Sequence, residues 1–153
     1  MENDMDDLYI NFTASITRLN KIIQKIKSIE VKEYGLQPIH VSCWYYLSKN
    51  PQGLTAKELC ELSISDKAAI SRALKTLQAK GYITYEPRGR NEVVKITDKG
   101  NELAEVISSK INSAVKAGSA KLTDEERRFF YNSLLEISDN LVNYYKKLLN
   151  KEV

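Results

Sequence analysis

A single histidine, His40, and two cysteines, Cys43 and Cys60, are too few to build a zinc site of any usual kind. Without a serine or cysteine nucleophile placed beside it in any recognisable spacing, His40 makes no catalytic triad. Each cysteine sits in an apolar helical pattern and reads as a buried free thiol. Glycine is scarce, and Gly81, Gly89 and Gly100 lie too far apart for a phosphate-cradling loop; each already marks a turn. No apolar run approaches membrane length, since Ile22-Ile23 is soon interrupted by lysines. No signal peptide is evident, so a cytosolic protein with no membrane partner is expected. The acidic residues fall at helix caps and on solvated faces. These absences argue against an enzyme and against any cofactor.

Charge is also nearly balanced, at +3 overall, but it is unevenly spread. Between Ser65 and Lys95 seven basic residues face three acidic ones, a surplus of four, which leaves −1 for the rest of the chain. That stretch opens with a helix. Ser65 reads as its N-cap with Asp66 at the positive end of the dipole, and Gly81 is the stop. Ile70, Ala73, Leu74 and Leu77 form one apolar stripe, while Ala68, Ser71, Arg72 and Lys75 share the opposite face. Upstream, Thr55-Ala56-Lys57-Glu58 is a capping box that starts a short helix ending near Leu62. Downstream, Tyr82–Glu86 and Glu92–Thr97 read as strands joined by a turn, Pro87-Arg88-Gly89-Arg90-Asn91, with two arginines at its tip. Two short helices, the second basic, followed by a hairpin with a basic tip, give the order of a winged helix-turn-helix.

Residues 36 to 100 resemble the MarR family of transcription regulators. The matching pieces are Gly35-Leu36-Gln37-Pro38, Gly53-Leu54-Thr55-Ala56-Lys57-Glu58-Leu59, Lys67 through Leu74, Lys80-Gly81-Tyr82-Ile83 and Ile96-Thr97-Asp98-Lys99-Gly100. The family's wing usually carries Asp-x-Arg shortly before Leu-Thr; counted back without gaps, Arg90 takes the arginine position and Arg88 stands where the aspartate would be. Aligning Glu86-Pro87-Arg88 instead requires a longer tip. The resemblance implies a sequence-specific regulator, a repressor by family habit, that binds double-stranded DNA. Its expected contacts are Thr55, Lys67, Ala68, Ser71, Arg72, Lys75, Arg88 and Arg90. Arg72 is the expected base reader, Lys67 and Lys75 phosphate contacts, and Arg90 the minor-groove arginine with Arg88 on phosphate. Neither wing arginine has an obvious structural partner. Some MarR-type regulators sense oxidants through a cysteine in the first helix, where neither cysteine lies here.

Flanking this lobe are long amphipathic helices. From about Asp7 to Ile29, Phe12, Ile16, Leu19, Ile23 and Ile26 alternate steps of four and three, with the acidic residues before Asp7 expected to fray. Glu30 to Gly35 reads as a linker. Thr97 caps a helix carrying Leu103, Ile107, Ile111 and Ala114 that ends at Gly118-Ser119, and Thr123-Asp124-Glu125-Glu126 opens a last one with Phe130, Leu134, Ile137, Leu141, Tyr144 and Leu148. A small chain has little room to bury three such helices, so a homodimer is expected, presenting two reading helices roughly 34 Å apart to a palindrome. The expected fold is mainly α with a small β-hairpin wing: a dimerisation helix and linker over 1–35, the winged helix-turn-helix lobe over 36–97 and dimerisation helices over 98–153. The family's small-molecule pocket lies where dimer helices meet the DNA-binding lobe; by that resemblance Phe12, His40 and Trp44 are candidates to line a site for a small aromatic effector. The competing reading is a helical partner-binding or structural protein with no DNA affinity.

Overall fold

The computed structural model describes residues 2–150. Six α-helices and one hairpin follow in the order α1 (Glu2–Val31), α2 (Pro38–Ser48), α3 (Ala56–Ser63), α4 (Lys67–Ala79), β1 (Ile83–Arg88), β2 (Asn91–Ile96), α5 (Asp98–Gly118) and α6 (Asp124–Leu149). The chain divides into two compact units between Ser113 and Ala114, inside α5.

The first unit is built on the stripe of α4. Ile70, Ala73, Leu74 and Leu77 are buried there, and they meet Leu59 of α3, Cys43, Trp44 and Leu47 of α2, Ile83 and Val94 of the hairpin, and Leu103 and Ile107 of α5. Each such leucine or isoleucine contributes about 1.5–3 kcal/mol of transfer free energy, so α4 cannot turn about its axis without losing the core. Its opposite face is thereby fixed toward solvent.

Local chemistry sets the boundaries, and four of them differ from expectation. Helix α1 begins at Glu2 rather than near Asp7. It also runs on to Val31, where the anticipated linker is instead one turn of 3-10 helix, Lys32–Tyr34, stopped by Gly35 at φ +64. Asp66, not Ser65, caps α4: its carboxylate accepts from the Ala69 N–H at 2.8 Å. Ser65 is drawn into closing α3, with its N–H on the Cys60 carbonyl and its hydroxyl donating to the Ser63 carbonyl. Between them Ile64 adopts φ +50, a left-handed conformation that costs a β-branched residue free energy. The hairpin turn shrinks from five residues to two. Arg88 pairs directly with Asn91, leaving Gly89-Arg90 as the loop, with Gly89 at φ +63 as a two-residue turn of this hand requires. Pro87 enters β1, tolerable in a strand with a free edge.

The capping boxes at Thr55 and Thr123 form as read. The Thr97 hydroxyl accepts from the Gly100 N–H at 3.1 Å and donates to the Gly81 carbonyl at 2.7 Å, tying the start of α5 to the end of α4. Leu54, between α2 and α3, exchanges both backbone hydrogen bonds with Val94 and adds a third, one-residue strand to the hairpin.

In the second unit, Arg127 organises the turn into α6. It pairs with Asp124 at 2.9 Å and donates to the Ser119 and Leu122 carbonyls. Helix α6 has no buried residue along its length, and Phe130, Ile137, Leu141, Tyr144 and Leu148 are all exposed. On α1 of the first unit, Leu19, Ile22, Ile23 and Ile29 are likewise exposed. Among the described residues no helix is long and apolar enough to cross a membrane.

Candidate nucleic-acid interface

Helix α4 carries its reading face as the stripe dictates. Lys67, Ala68, Ser71, Arg72 and Lys75 are all exposed, on the side away from the core. Ala68 and Ser71 are small enough to let the backbone approach a groove edge, and Lys67, Arg72 and Lys75 form no ion pair among the described residues. A cation left without an internal partner keeps its full charge for an external one, which suits a phosphate or a base edge.

The hairpin separates its two arginines. Arg90 stands at the loop, exposed and without an internal ion pair. Arg88, one residue outside that loop, is engaged: its Nη2 donates to both carboxylate oxygens of Glu58 at 2.9 and 2.8 Å, and its Nη1 reaches the Gly53 carbonyl at 3.3 Å. The expectation that neither arginine has a structural partner is therefore corrected for Arg88. Thirty residues separate the pair, and no spacing rule connects a capping-box glutamate to a turn arginine. Glu58 is the residue that sequence reasoning placed only in the cap. Its carboxyl is held below the usual carboxylate range, first by the Thr55 N–H and hydroxyl, then by Arg88. Thr55 spends its hydroxyl on that box, accepting from the Glu58 N–H and donating to its carboxylate.

The three residues expected to share an effector pocket are not brought together. His40 lines a crevice of about 390 Å³ against α4, with Gln37, Arg72 and Thr76. Trp44 lines a separate cavity of about 260 Å³ with Lys27, Tyr45, Ile107 and Asn112. Phe12, half-buried on α1, borders neither. The split has a local cause. His40 occupies the third position of α2, and its Nδ1 accepts from the Gln37 N–H at 2.7 Å, so the imidazole folds back over the helix start. Two residues lining the Trp44 cavity carry polar groups. The indole Nε1 is buried with no hydrogen-bond partner among the described residues, and burial lowers the pKa of the Lys27 ammonium. Cys43 is buried and its thiol is pushed up to about 11 by that burial, which keeps it in the unreactive form. Among the described residues no cluster of histidine, cysteine and carboxylates could hold a metal ion.

His40 also predicts a pH dependence. Burial lowers its pKa below the ordinary value, so the folded protein keeps it neutral. Below about pH 6.5 the unfolded chain takes up a proton that the folded one refuses; stability therefore falls with falling pH until the folded value is passed. Because His40 is the only histidine, thermal unfolding from pH 8 to 5 should show this loss and His40→Gln should flatten it. Parallel curves for the two proteins would show that His40 carries no such linkage.

Residues 34–92, the segment holding the helix-turn-helix and the hairpin as far as the start of β2, match the model of the MarR family. The whole architecture superimposes on a MarR protein from Peptoclostridium difficile with a TM-score of 0.79 and 26% identity, over 90% of this chain and 92% of that one. The helix-turn-helix segment is thus similar to the MarR family of transcriptional regulators. An HTH-type transcriptional regulator of Bacillus subtilis, YdgJ, is 31% identical over 81 residues, 51% of this chain; the matched region spans about half, 49%, of that curated relative. The fold is shared too with S. aureus MepR, solved in complex with DNA, at a TM-score of 0.71 and 16% identity over 85% of this chain and 96% of that one.

Proposed function

We propose that the protein is a homodimeric repressor that reads a palindromic operator with α4 in successive major grooves and the hairpin tip in the flanking minor groove. The observation that carries this reading is the solvent face of α4: two small side chains, Ala68 and Ser71, set among three cations without internal ion pairs, Lys67, Arg72 and Lys75, and fixed outward by the buried stripe. Arg72 is the base reader, Lys67 and Lys75 hold phosphates, and Arg90 enters the minor groove, where narrow A·T tracts attract arginine. Thr55 contributes by fixing the start of α3 rather than through a free hydroxyl. Dimerisation is supported by the exposed apolar residues of α1 and by α6, a 26-residue helix that buries nothing by itself.

The cavity beside Trp44 supports an effector. An unpartnered indole N–H and a half-buried lysine favour an aromatic compound bearing an acceptor or an anionic group. Such a ligand loosens DNA only in proportion to its preference for a dimer whose reading helices no longer match the groove spacing.

Gel shift with mixed genomic fragments at low salt, followed by footprinting of the retained fragment, tests the reading, with sedimentation on the same sample. A dimer at micromolar concentration protecting two half-sites one helical turn apart is expected. A dimer that retains no fragment would favour the partner-binding alternative, and a monomer would remove α1 and α6 from any interface between copies. Phenolic acids added to the retained complex test the cavity: no change in melting temperature or in retention would make Trp44 and Lys27 plain core.

A further inference from the structure

Beyond its backbone bonds to Leu54, the outer part of the hairpin is held to the rest of the lobe by the packing of Val93 against Gly53 and, among the described residues, by the polar contacts of Arg88. Arg88 closes the strand ladder opposite Asn91, and its guanidinium spans from the Gly53 carbonyl to both oxygens of Glu58. The same carboxylate accepts the Thr55 N–H at 2.7 Å and the Thr55 hydroxyl at 2.9 Å. One acidic group thus serves both the start of α3 and the wing. We propose that Arg88 is a positioning residue, a clamp that sets the angle of the wing against the helix-turn-helix so that Arg90 is aimed into the minor groove, and that it is not itself a phosphate contact. The inference rests on the reading of the hairpin as a DNA-contacting wing.

Three observations favour a clamp over a DNA contact. Nη2 donates to both oxygens of Glu58, a charge-assisted pairing that takes up two of the guanidinium's five N–H groups. A third donor, Nη1, is committed to Gly53. Gly53 itself is wedged against the wing: a Cβ there would lie 2.9 Å from a Val93 methyl, so the carbonyl that Arg88 grips cannot drift from the hairpin. Arg90, two residues on, has no such ties among the described residues.

The clamp and the contact predict opposite results for Glu58→Gln, which keeps an acceptor for the capping box while discharging the partner. Two 30-base-pair duplexes serve as probes, one of A·T pairs only and one of G·C pairs only, each titrated with the full-length protein across a range of salt. If Arg88 is the clamp, Arg88→Ala, Glu58→Gln and the double variant each lower the A·T-over-G·C preference by about fivefold, to one shared value, and the double variant leaves the salt slope at that of the wild type. Amide exchange of the free protein should quicken by a similar factor, about fivefold, at the tip-proximal hairpin amides in both single variants. A salt slope lowered by about one in the double variant would make Arg88 a phosphate contact and overturn the proposal, as would tighter binding of both duplexes by Glu58→Gln. Unchanged amide exchange would overturn it equally. Should the wild type bind neither duplex, the wing's DNA role fails, and the exchange measurement still decides whether Arg88 holds the hairpin.

Discussion

Replacing Gly100 by alanine should cost at least about 3 kcal/mol of stability, enough to unfold a marginal protein near body temperature. An added Cβ would stand 2.1 Å from the Tyr82 carbonyl oxygen and 2.7 Å from an Ile96 methyl. The first of these is backbone, and that oxygen is already the acceptor of the Thr97 N–H at 3.1 Å. The Gly100 N–H is held in turn by the Thr97 hydroxyl, which reaches the Gly81 carbonyl. The obstruction is therefore closed on itself, and relief requires α5 to lift off the end of α4. Gly100 has no left-handed backbone angle; it is required for space alone. The sign of the effect is diagnostic, because helix propensity by itself would make alanine more stable by about 1 kcal/mol. Gly118, at the far end of the same helix with nothing within 4 Å of its would-be Cβ, supplies the control: Gly118→Ala should shift the urea midpoint upward while Gly100→Ala shifts it steeply downward. A neutral Gly100→Ala would mean that α5 is not seated against Tyr82.

Arg72→Ala should lower affinity for the footprinted operator by about 10- to 100-fold, the equivalent of about 1–3 kcal/mol for a bidentate arginine–guanine contact. Affinity for a random duplex should fall much less. Folding stability should be untouched, since the side chain is exposed and forms no ion pair among the described residues. Fluorescence anisotropy on both duplexes, beside a melting curve, separates the outcomes. Equal losses on operator and random DNA would reduce Arg72 to a phosphate contact. A lowered melting temperature would instead assign it to the crevice it shares with His40 and Thr76.

Most of the lobe was legible because its determinants are short-range. The stripe of α4 is a spacing of three and four residues, and all four of its members are buried. Three of the turns depend on a glycine or a capping box that can be read in place: Gly81 at φ +74, Thr55 with Glu58, and Thr123 with Glu126. The structure departs from local signals where a neighbour in space outweighs a neighbour in sequence. Ser65 is as good a cap as Asp66, but closing α3 claims its hydroxyl and leaves the aspartate to α4. Pro87 and Arg88 read as turn residues by composition, yet the ladder runs on to Arg88–Asn91. His40 and Trp44 lie one helical turn apart and would ordinarily share a face. The imidazole's bond to the Gln37 N–H draws it toward α4, so the two reach different cavities. The Glu58–Arg88 pair had no local signal at all.

The exchange of backbone hydrogen bonds between Leu54 and Val94 has a mechanical consequence. It fixes the hairpin part-way along, so the inner portion moves with the joint between α2 and α3 while the outer portion projects as a lever about Val94. With Arg88 gripping Glu58 near the far end, the lever becomes a beam supported at two points, and bending it means shifting the start of α3 as well. A load on the hairpin tip is then shared with the start of α3, and a displacement of the joint between α2 and α3 travels outward along the same beam to the tip.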